Sequence, residues 1–238
     1  MKLLIKGEKW TGEFINVNKY DELYYETASI TPIITDNEII GYLAIKLNIT
    51  DYIKEQEKVE FLAYHDNLTL LPNRRSLERK LNELIAKATR RDKFAVLFLD
   101  LDGFKIINDT LGHDIGDLLL KEIAKKFHES LRINDYVFRL GGDEFAIIIE
   151  YSNDIEIIEV IAKKIIDNIN KNINIRNNSL HVGCSIGIAK FPQDGVTSTN
   201  LLKYSDIAMY KAKQNGRNRF EFYTKDLSDN VHSKLYIE

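Results

Sequence analysis

The sequence predicts an α+β protein. Its main domain reads as a ferredoxin-like, palm-type βαββαβ sheet with helices on one face, preceded by a smaller β-sheet and a connecting helix. Three observations lead there. The apolar run Phe94–Leu99 has the length and composition of a buried strand, and it ends in the acids of Asp100-Leu101-Asp102. The stretch Arg139-Leu140-Gly141-Gly142-Asp143-Glu144-Phe145 joins two β-forming runs, so it reads as a tight hairpin whose glycines admit positive φ. Helix-periodic segments stand between these strands in the order β-α-β-β-α-β.

In chain order, Trp10 to Val17, Leu23 to Ile34 and Ile39 to Asn48 read as strands, with a turn at Asp36-Asn37. Three strands with one open face are marginal alone, so pairing with another copy is expected and no cofactor is assigned to this segment. Tyr52 to Tyr64 reads as a helix. In it Tyr52, Gln56, Val59 and Ala63 have the four-three-four spacing of a two-stranded coiled coil, though a plain connecting helix fits as well. A loop from Asp66 to Arg74 leads into a helix running to about Arg90. After the strand Phe94–Leu99 come a helix (Ile115 to Leu131), the hairpin (136 to 149) and a helix (Ile155 to Ile173). A strand (Leu180 to Ala189), a helix (Thr199 to Gln214) and a final strand (Arg219 to Tyr223) follow. The domains are therefore expected at 1–50, 51–64 (connecting helix), 65–225 and 226–238 (a helical connector).

Bulk composition narrows the classes. The 238 residues are 44% hydrophobic and 29% charged, an ordinary globular balance. A net charge of −3 argues against a nucleic-acid backbone as partner. The single cysteine, Cys184, excludes an internal disulfide and suits a reducing cytoplasm. No apolar run reaches the length of a membrane span, so this chain is expected to make no direct membrane contact, although a full-length parent could be anchored.

The chemistry starts from the acids. In the proposed sheet the strand ending at Asp100 lies beside the hairpin, so Asp100 approaches Asp143. Two converging carboxylates repel unless a cation joins them, and oxygen ligands suit Mg²⁺ (or Mn²⁺). Mg²⁺ uses few protein ligands and keeps places for phosphate oxygens, which points to a nucleotide. Gly103 leaves backbone N–H groups free to face phosphates, and Lys105 adds positive charge. A solvated surface hairpin is the competing reading of the same acids.

Taken together the motifs resemble the GGDEF-domain diguanylate cyclases, which join two GTP molecules into cyclic di-GMP. The likeness covers about residues 65 to 225. Besides the hairpin and Asp100–Lys105, it includes Asn108-Asp109-Thr110-Leu111-Gly112-His113-Asp114-Ile115-Gly116-Asp117 and Ser185-Ile186-Gly187-Ile188-Ala189. Tyr210-Lys211-Ala212-Lys213-Gln214-Asn215-Gly216-Arg217-Asn218 completes it. The resemblance implies that Asp100, the Leu101 carbonyl and Asp143 hold metal, and that Asp143 or Glu144 accepts the 3′-hydroxyl proton. It implies that Asn108 and Asp117 read guanine, where a turn residue and a solvated helix face are the plain alternatives. Gly103, Phe104, Lys105, Lys213 and Arg217 would contact the phosphates, although Lys213 and Arg217 also suit a helix C-terminus. GTP, cyclic di-GMP and a second copy of the chain, met through the connecting helix or the first sheet, are the implied partners.

Arg132 and Asp135 match the family's product-inhibition pair, Arg-x-x-Asp, with a surface ion pair as the alternative. Residues 1–50 resemble the C-terminal part of a PAS sensor domain, carried by Trp10-Thr11-Gly12-Glu13-Phe14, Ser29-Ile30-Thr31-Pro32-Ile33 and Ala44–Asp51. The tail resembles the connector before an EAL phosphodiesterase domain. That leaves a second function open: a GTP- or cyclic di-GMP-binding regulator of a larger phosphodiesterase. One departure from the family is Leu70, where relatives carry glycine. A leucine takes positive φ only at a cost, so a rearranged loop is expected there.

Overall fold

A computed structural model describes residues 2–89, 91–152 and 155–227. The chain divides into two compact units, one reaching Ala63 and one starting at Tyr64.

The first unit opens with a short helix, α1 (Lys2–Ile5), and continues as an antiparallel meander of β1 (Trp10–Val17), β2 (Leu23–Thr35) and β3 (Glu38–Asn48). Period-two alternation sorts the side chains. Ala28 is buried on one face, while Ile15, Val17, Leu23, Leu43, Ile45 and Leu47 share the other face and are exposed. The helix α2 (Thr50–Tyr64) is anchored where the Thr50 hydroxyl accepts a bond from the Tyr25 amide at 2.9 Å. Further along, Tyr52 and Val59 of the expected seam are exposed, and Gln56 Nε2 donates to the Tyr52 hydroxyl.

The second unit is built on a five-stranded sheet of order β10-β9-β4-β6-β5. Its strands are β4 (Lys93–Asp102), β5 (Tyr136–Gly141), β6 (Glu144–Tyr151), β9 (Gly183–Phe191) and β10 (Phe220–Phe222). β4 is antiparallel to both β6 and β9, and β10 runs parallel to β9, so the core is the expected split βαβ with one strand added. The helices are α3 (Arg74–Lys87), α4 (Phe104–Leu111), α5 (His113–Ser130), α6 (Glu156–Ile169) and α7 (Ser198–Gln214). A small hairpin of β7 (Ile173–Ile175) and β8 (Asn178–Leu180) fills the span between α6 and β9, and of its residues only Ile173 falls within the expected helix. α3 and α7 start where the sequence supplies caps: Asn73 Oδ1 accepts from the Ser76 amide and Thr197 Oγ1 from the Asn200 amide.

The expectation of helices on one face does not hold. Leu97, Leu99, Phe145 and Ile186 pack against α5 and α6, through Leu119, Ile123, Phe127 and Ile165. Val96, Ala146, Ile148 and Ala189 point the opposite way, onto Leu77 and Leu81 of α3 and Leu201 and Ala208 of α7. Strands covered on both faces need apolar residues at every position, which is why β4 and β6 read as unbroken runs. Each fully buried aliphatic side chain here contributes roughly 1.5–3 kcal/mol. On the second face a side chain at Gly187 would collide with Met209 N and Ser205 O, so α7 lies directly on the β9 backbone.

Leu70 corrects a further expectation. It adopts φ 61° with its side chain 62% exposed, so the turn is kept and the leucine bears the strain. The expected connector over 226–238 lies outside the described residues from position 228 onward.

Candidate active site

The site lies where β4 ends. Because Asp100 and Asp102 are two residues apart on one strand, both point to the α7 side of the sheet. Directly opposite Asp100, on the same face, stands Glu144 of β6. Like charges so paired are unfavourable, and each has its own cation. Lys213 Nζ, from the end of α7, lies 2.7 Å from Asp100 Oδ2, and Arg74 Nη2, from the start of α3, lies 3.7 Å from Glu144 Oε2. Burial pushes the Asp100 carboxyl above its ordinary range; the Lys213 hydrogen bond opposes this, while the charges of Asp143 and Asp102 add to it.

The hairpin turn differs slightly from the sequence reading. Gly141 already pairs with Glu144, after a register shift beyond Arg139, so the turn is Gly142-Asp143 with Gly142 at φ 52°. Asp143 thus sits in the turn itself and Glu144 opens the strand. The turn is held from two sides. The Leu101 amide donates to the Asp143 carbonyl at 3.3 Å, and the buried Arg139 donates twice to the Gly142 carbonyl, at 3.1 and 2.8 Å. The third bond of Arg139 goes to Asp66 Oδ1 at 2.8 Å, in the loop that carries Leu70. Burial alone would raise the Asp66 carboxyl, but the hydrogen bonds from Thr69 and Arg139 outweigh it and hold it below the usual range.

One cleft of about 670 Å³ gathers Asp100, Leu101, Gly103, Phe104, Lys105, Asp143, Lys213 and Arg217, together with Asp102 and Ile106. All residues expected at metal or phosphate, apart from the alternative base Glu144, therefore line a single depression. Gly103 takes φ 83° so that β4 can pass straight into α4, which sets the first amides of that helix in the cleft wall. The donor set suits a divalent cation. Asp100 and Asp143 lie close enough for their charges to interact, both line the cleft beside Leu101, and the Lys213 ammonium already supplies positive charge against Asp100. Among the described residues no group of three or more His, Cys, Asp or Glu is arranged to hold a metal, so other ligands would be phosphate and water.

The remaining expected residues lie outside that lining. Asn108 is on α4 and Asp117 on α5, across the Gly112 turn. Asn108 Oδ1 is buried, has no hydrogen-bond partner and packs against Gly116, whereas Asp117 is exposed. Arg132 and Asp135 sit in the turn before β5. There the Asp135 carboxylate accepts from the Arg132 backbone amide at 2.9 Å, a contact different from the surface ion pair of the alternative reading.

Sequence reasoning did not assign Asp102, Arg139, Asp66 or Arg74. For Asp102 a signal existed, since alternation along β4 places it beside Asp100. For the other three no local pattern shows that the 65–74 loop meets the hairpin.

This strand order, with acids and bases converging at the end of β4, defines an α+β domain of the palm type. Residues 63–219 match the family described as "Diguanylate cyclase, GGDEF domain". The chain belongs to the GGDEF diguanylate cyclase domain family. It is 43% identical over 177 residues to the bifunctional diguanylate cyclase/cyclic di-GMP phosphodiesterase MucR of Pseudomonas aeruginosa, covering 74% of this chain and 26% of MucR. Among solved structures, the isolated GGDEF domain of TpbB from the same organism matches with TM-score 0.68 and 37% identity, covering 71% of this chain and 99% of that one. The coiled coil and GGDEF domain of DgcB from Caulobacter crescentus, solved in complex with c-di-GMP, matches with TM-score 0.63 and 25% identity, covering 73% of this chain and 93% of that one. The chain thus spans about a quarter of the length of the first curated relative.

Proposed function

We propose that this chain is a diguanylate cyclase, condensing two GTP molecules into cyclic di-GMP with release of two pyrophosphates. The observation that supports it most is the cleft that collects three aspartates, a glycine-led helix start and the bases Lys105, Lys213 and Arg217. A triphosphate needs that combination, with acids for a bridging cation and bases for the remaining charge.

In each half-reaction the 3′-oxygen of one GTP bonds to the α-phosphorus of the other. The bond from that phosphorus to the β-bridging oxygen breaks, pyrophosphate leaves, and the hydroxyl proton passes to Asp143 or Glu144. Repeating the step in the other direction closes the ring. Asp100, Asp143 and the Leu101 carbonyl would hold a divalent cation, Mg²⁺ or Mn²⁺, which would screen the developing phosphate charge. Lys105, Lys213 and Arg217 orient the triphosphate, and Asn108 and Asp117 bind guanine. One domain holds one GTP, so two chains have to face each other, and positioning is the main catalytic contribution. The exposed stripe of Tyr52 and Val59 on α2 and the open face of the first sheet, which we read as a PAS remnant, are the surfaces we assign to that pairing. Arg132 and Asp135 form the product-inhibition site. Among the described residues no helix is long and apolar enough to cross a membrane, and we place the reaction in the cytoplasm, with its GTP.

The test is incubation with GTP and Mg²⁺, with cyclic di-GMP and pyrophosphate quantified by ion-exchange chromatography. Product is expected, and Asp143→Ala should abolish it; synthesis persisting in that variant overturns the acid assignment. The length of MucR favours one second reading, a nucleotide-binding regulator within a longer phosphodiesterase. Tight GTP binding without product would select it.

A further inference from the structure

We propose that Asp102 is a positioning residue for the triphosphate. It anchors the turn after α7 so that Arg217 faces the cleft, and it is not a ligand of the metal. The inference rests on the nucleotide reading of the cleft given above and assigns a role that reading leaves vacant.

The turn after α7 is Gly216-Arg217-Asn218, whose φ values are 112°, 61° and 48°. Two successive non-glycine residues in the left-handed region do not hold themselves there and need an outside anchor. The anchor is visible. Asn218 N donates to Asp102 Oδ2 at 2.9 Å, and the buried Ser185 hydroxyl donates to both oxygens of the same carboxylate, at 2.8 and 3.0 Å. The Asn218 side chain carries the link onward, its Oδ1 accepting from Cys184 N at 3.4 Å. Gly183 packs closely on this link: a Cβ there would lie 3.1 Å from Asp102 Oδ2 and 3.2 Å from Asn218 Oδ1.

These bonds occupy the oxygens of Asp102. Its side chain is only 9% exposed, whereas that of Arg217, 4.0 Å from Asp102 Oδ1, is 64% exposed and available to a ligand. Asp100, two residues earlier, is instead bonded to Lys213. The Asp-x-Asp pair therefore divides its work, the first acid facing the cleft and the second tying β4 and β9 to the base-bearing turn.

The experiment measures binding of 3′-deoxy-GTP, which lacks the attacking hydroxyl, in the presence of Mg²⁺ by calorimetry, for wild type, Asp102→Ala, Asp102→Asn, Arg217→Ala and Asp102→Ala/Arg217→Ala. Mn²⁺ binding without nucleotide, read by electron paramagnetic resonance, runs alongside. Asp102→Ala is expected to weaken nucleotide binding about tenfold, and the double variant to bind no worse than Arg217→Ala, since both act through one group. Asp102→Asn should stay within about threefold, because an amide oxygen still accepts from Ser185 and Asn218 N. Mn²⁺ binding should be unchanged in all of them. If Asp102→Ala does not fold, Ser185→Ala reports instead, with weakened nucleotide binding and unchanged Mn²⁺ binding. Loss of Mn²⁺ binding in Asp102→Asn, or a fall in nucleotide binding in Arg217→Ala alone, overturns the assignment. Wild-type protein that binds no 3′-deoxy-GTP overturns the nucleotide reading and the inference with it.

Discussion

Replacing Arg139 by methionine should be strongly damaging although it lies outside the cleft lining. Its side chain is 8% exposed and makes three bonds, one to Asp66 Oδ1 and two to the Gly142 carbonyl. Breaking a buried ion pair by removing one partner costs about 3–5 kcal/mol. Asp66 is 22% exposed and keeps its bonds from Thr69 N and Oγ1, at 2.8 and 2.6 Å, so the lower end applies. A loss of about 3 kcal/mol in a domain of this size lowers the melting temperature by roughly 6–12 °C. The two units need separate probes. The single tryptophan, Trp10, reports on the first unit by fluorescence, while calorimetry follows the second. Synthesis should fall further than stability alone explains, because the Gly142 carbonyl loses the group that fixes the Asp143 turn. A cycle with Asp66→Asn gives the coupling directly. A melting shift below about 2 °C, or additivity within about 0.5 kcal/mol, would refute a buried tie between loop and hairpin.

Three further substitutions test other parts of the structure. In Gly116→Ala the new methyl collides with the buried Asn108 Oδ1, so the KM for GTP should rise about tenfold while α5 gains up to about 1 kcal/mol of helix propensity. An unchanged KM would mean that Asn108 does not meet the base. Leu70→Gly removes about 1–2 kcal/mol of left-handed strain against roughly 0.5–1 kcal/mol of added chain entropy, so urea melts should show equal or slightly higher stability. A loss above about 1 kcal/mol would contradict the φ assigned to Leu70. Arg132→Ala retains the backbone amide that Asp135 caps, so folding and synthesis should persist while more cyclic di-GMP is needed to inhibit; an unaltered inhibition curve excludes the site.

What could be read from the sequence follows the length scale of each signal. The apolar runs of β4 and β6 announced themselves because burial on two faces admits no polar break. The same continuity, followed one step further, also implied helices on both sides. α4 was missed because its 8 residues begin directly after Gly103, with no side-chain cap to mark the start. The residues expected at metal and phosphate could be named from motifs, but their partners could not. Arg139 meets Asp66 across 73 positions of sequence, and Asn218 meets Asp102 across 116. No periodicity reaches that far. Leu70 failed for a different reason. The strain argument was sound, but the bonds of Asp66 to Thr69 and Arg139 fix the turn strongly enough to override it.

The electrostatics of the cleft join these pieces. Asp100 and Glu144 are direct cross-strand neighbours, an arrangement that is unfavourable unless each acid has a counter-ion. The protein draws those counter-ions from different helices, Lys213 from the end of α7 and Arg74 from the start of α3. An ionised carboxylate has about four lone-pair sites, so Asp100 can accept from the Lys213 ammonium at Oδ2, 2.7 Å away, and still offer Oδ1 to a divalent cation. In the proposed reaction Lys213 can therefore stay on Asp100 while its remaining donors face the triphosphate. Arg74 stands against Glu144 at the longer distance of 3.7 Å. The turn beyond Lys213 is held independently of it, by the bond from Asn218 N to Asp102, so the bases at the end of α7 are fixed from two acids of one strand.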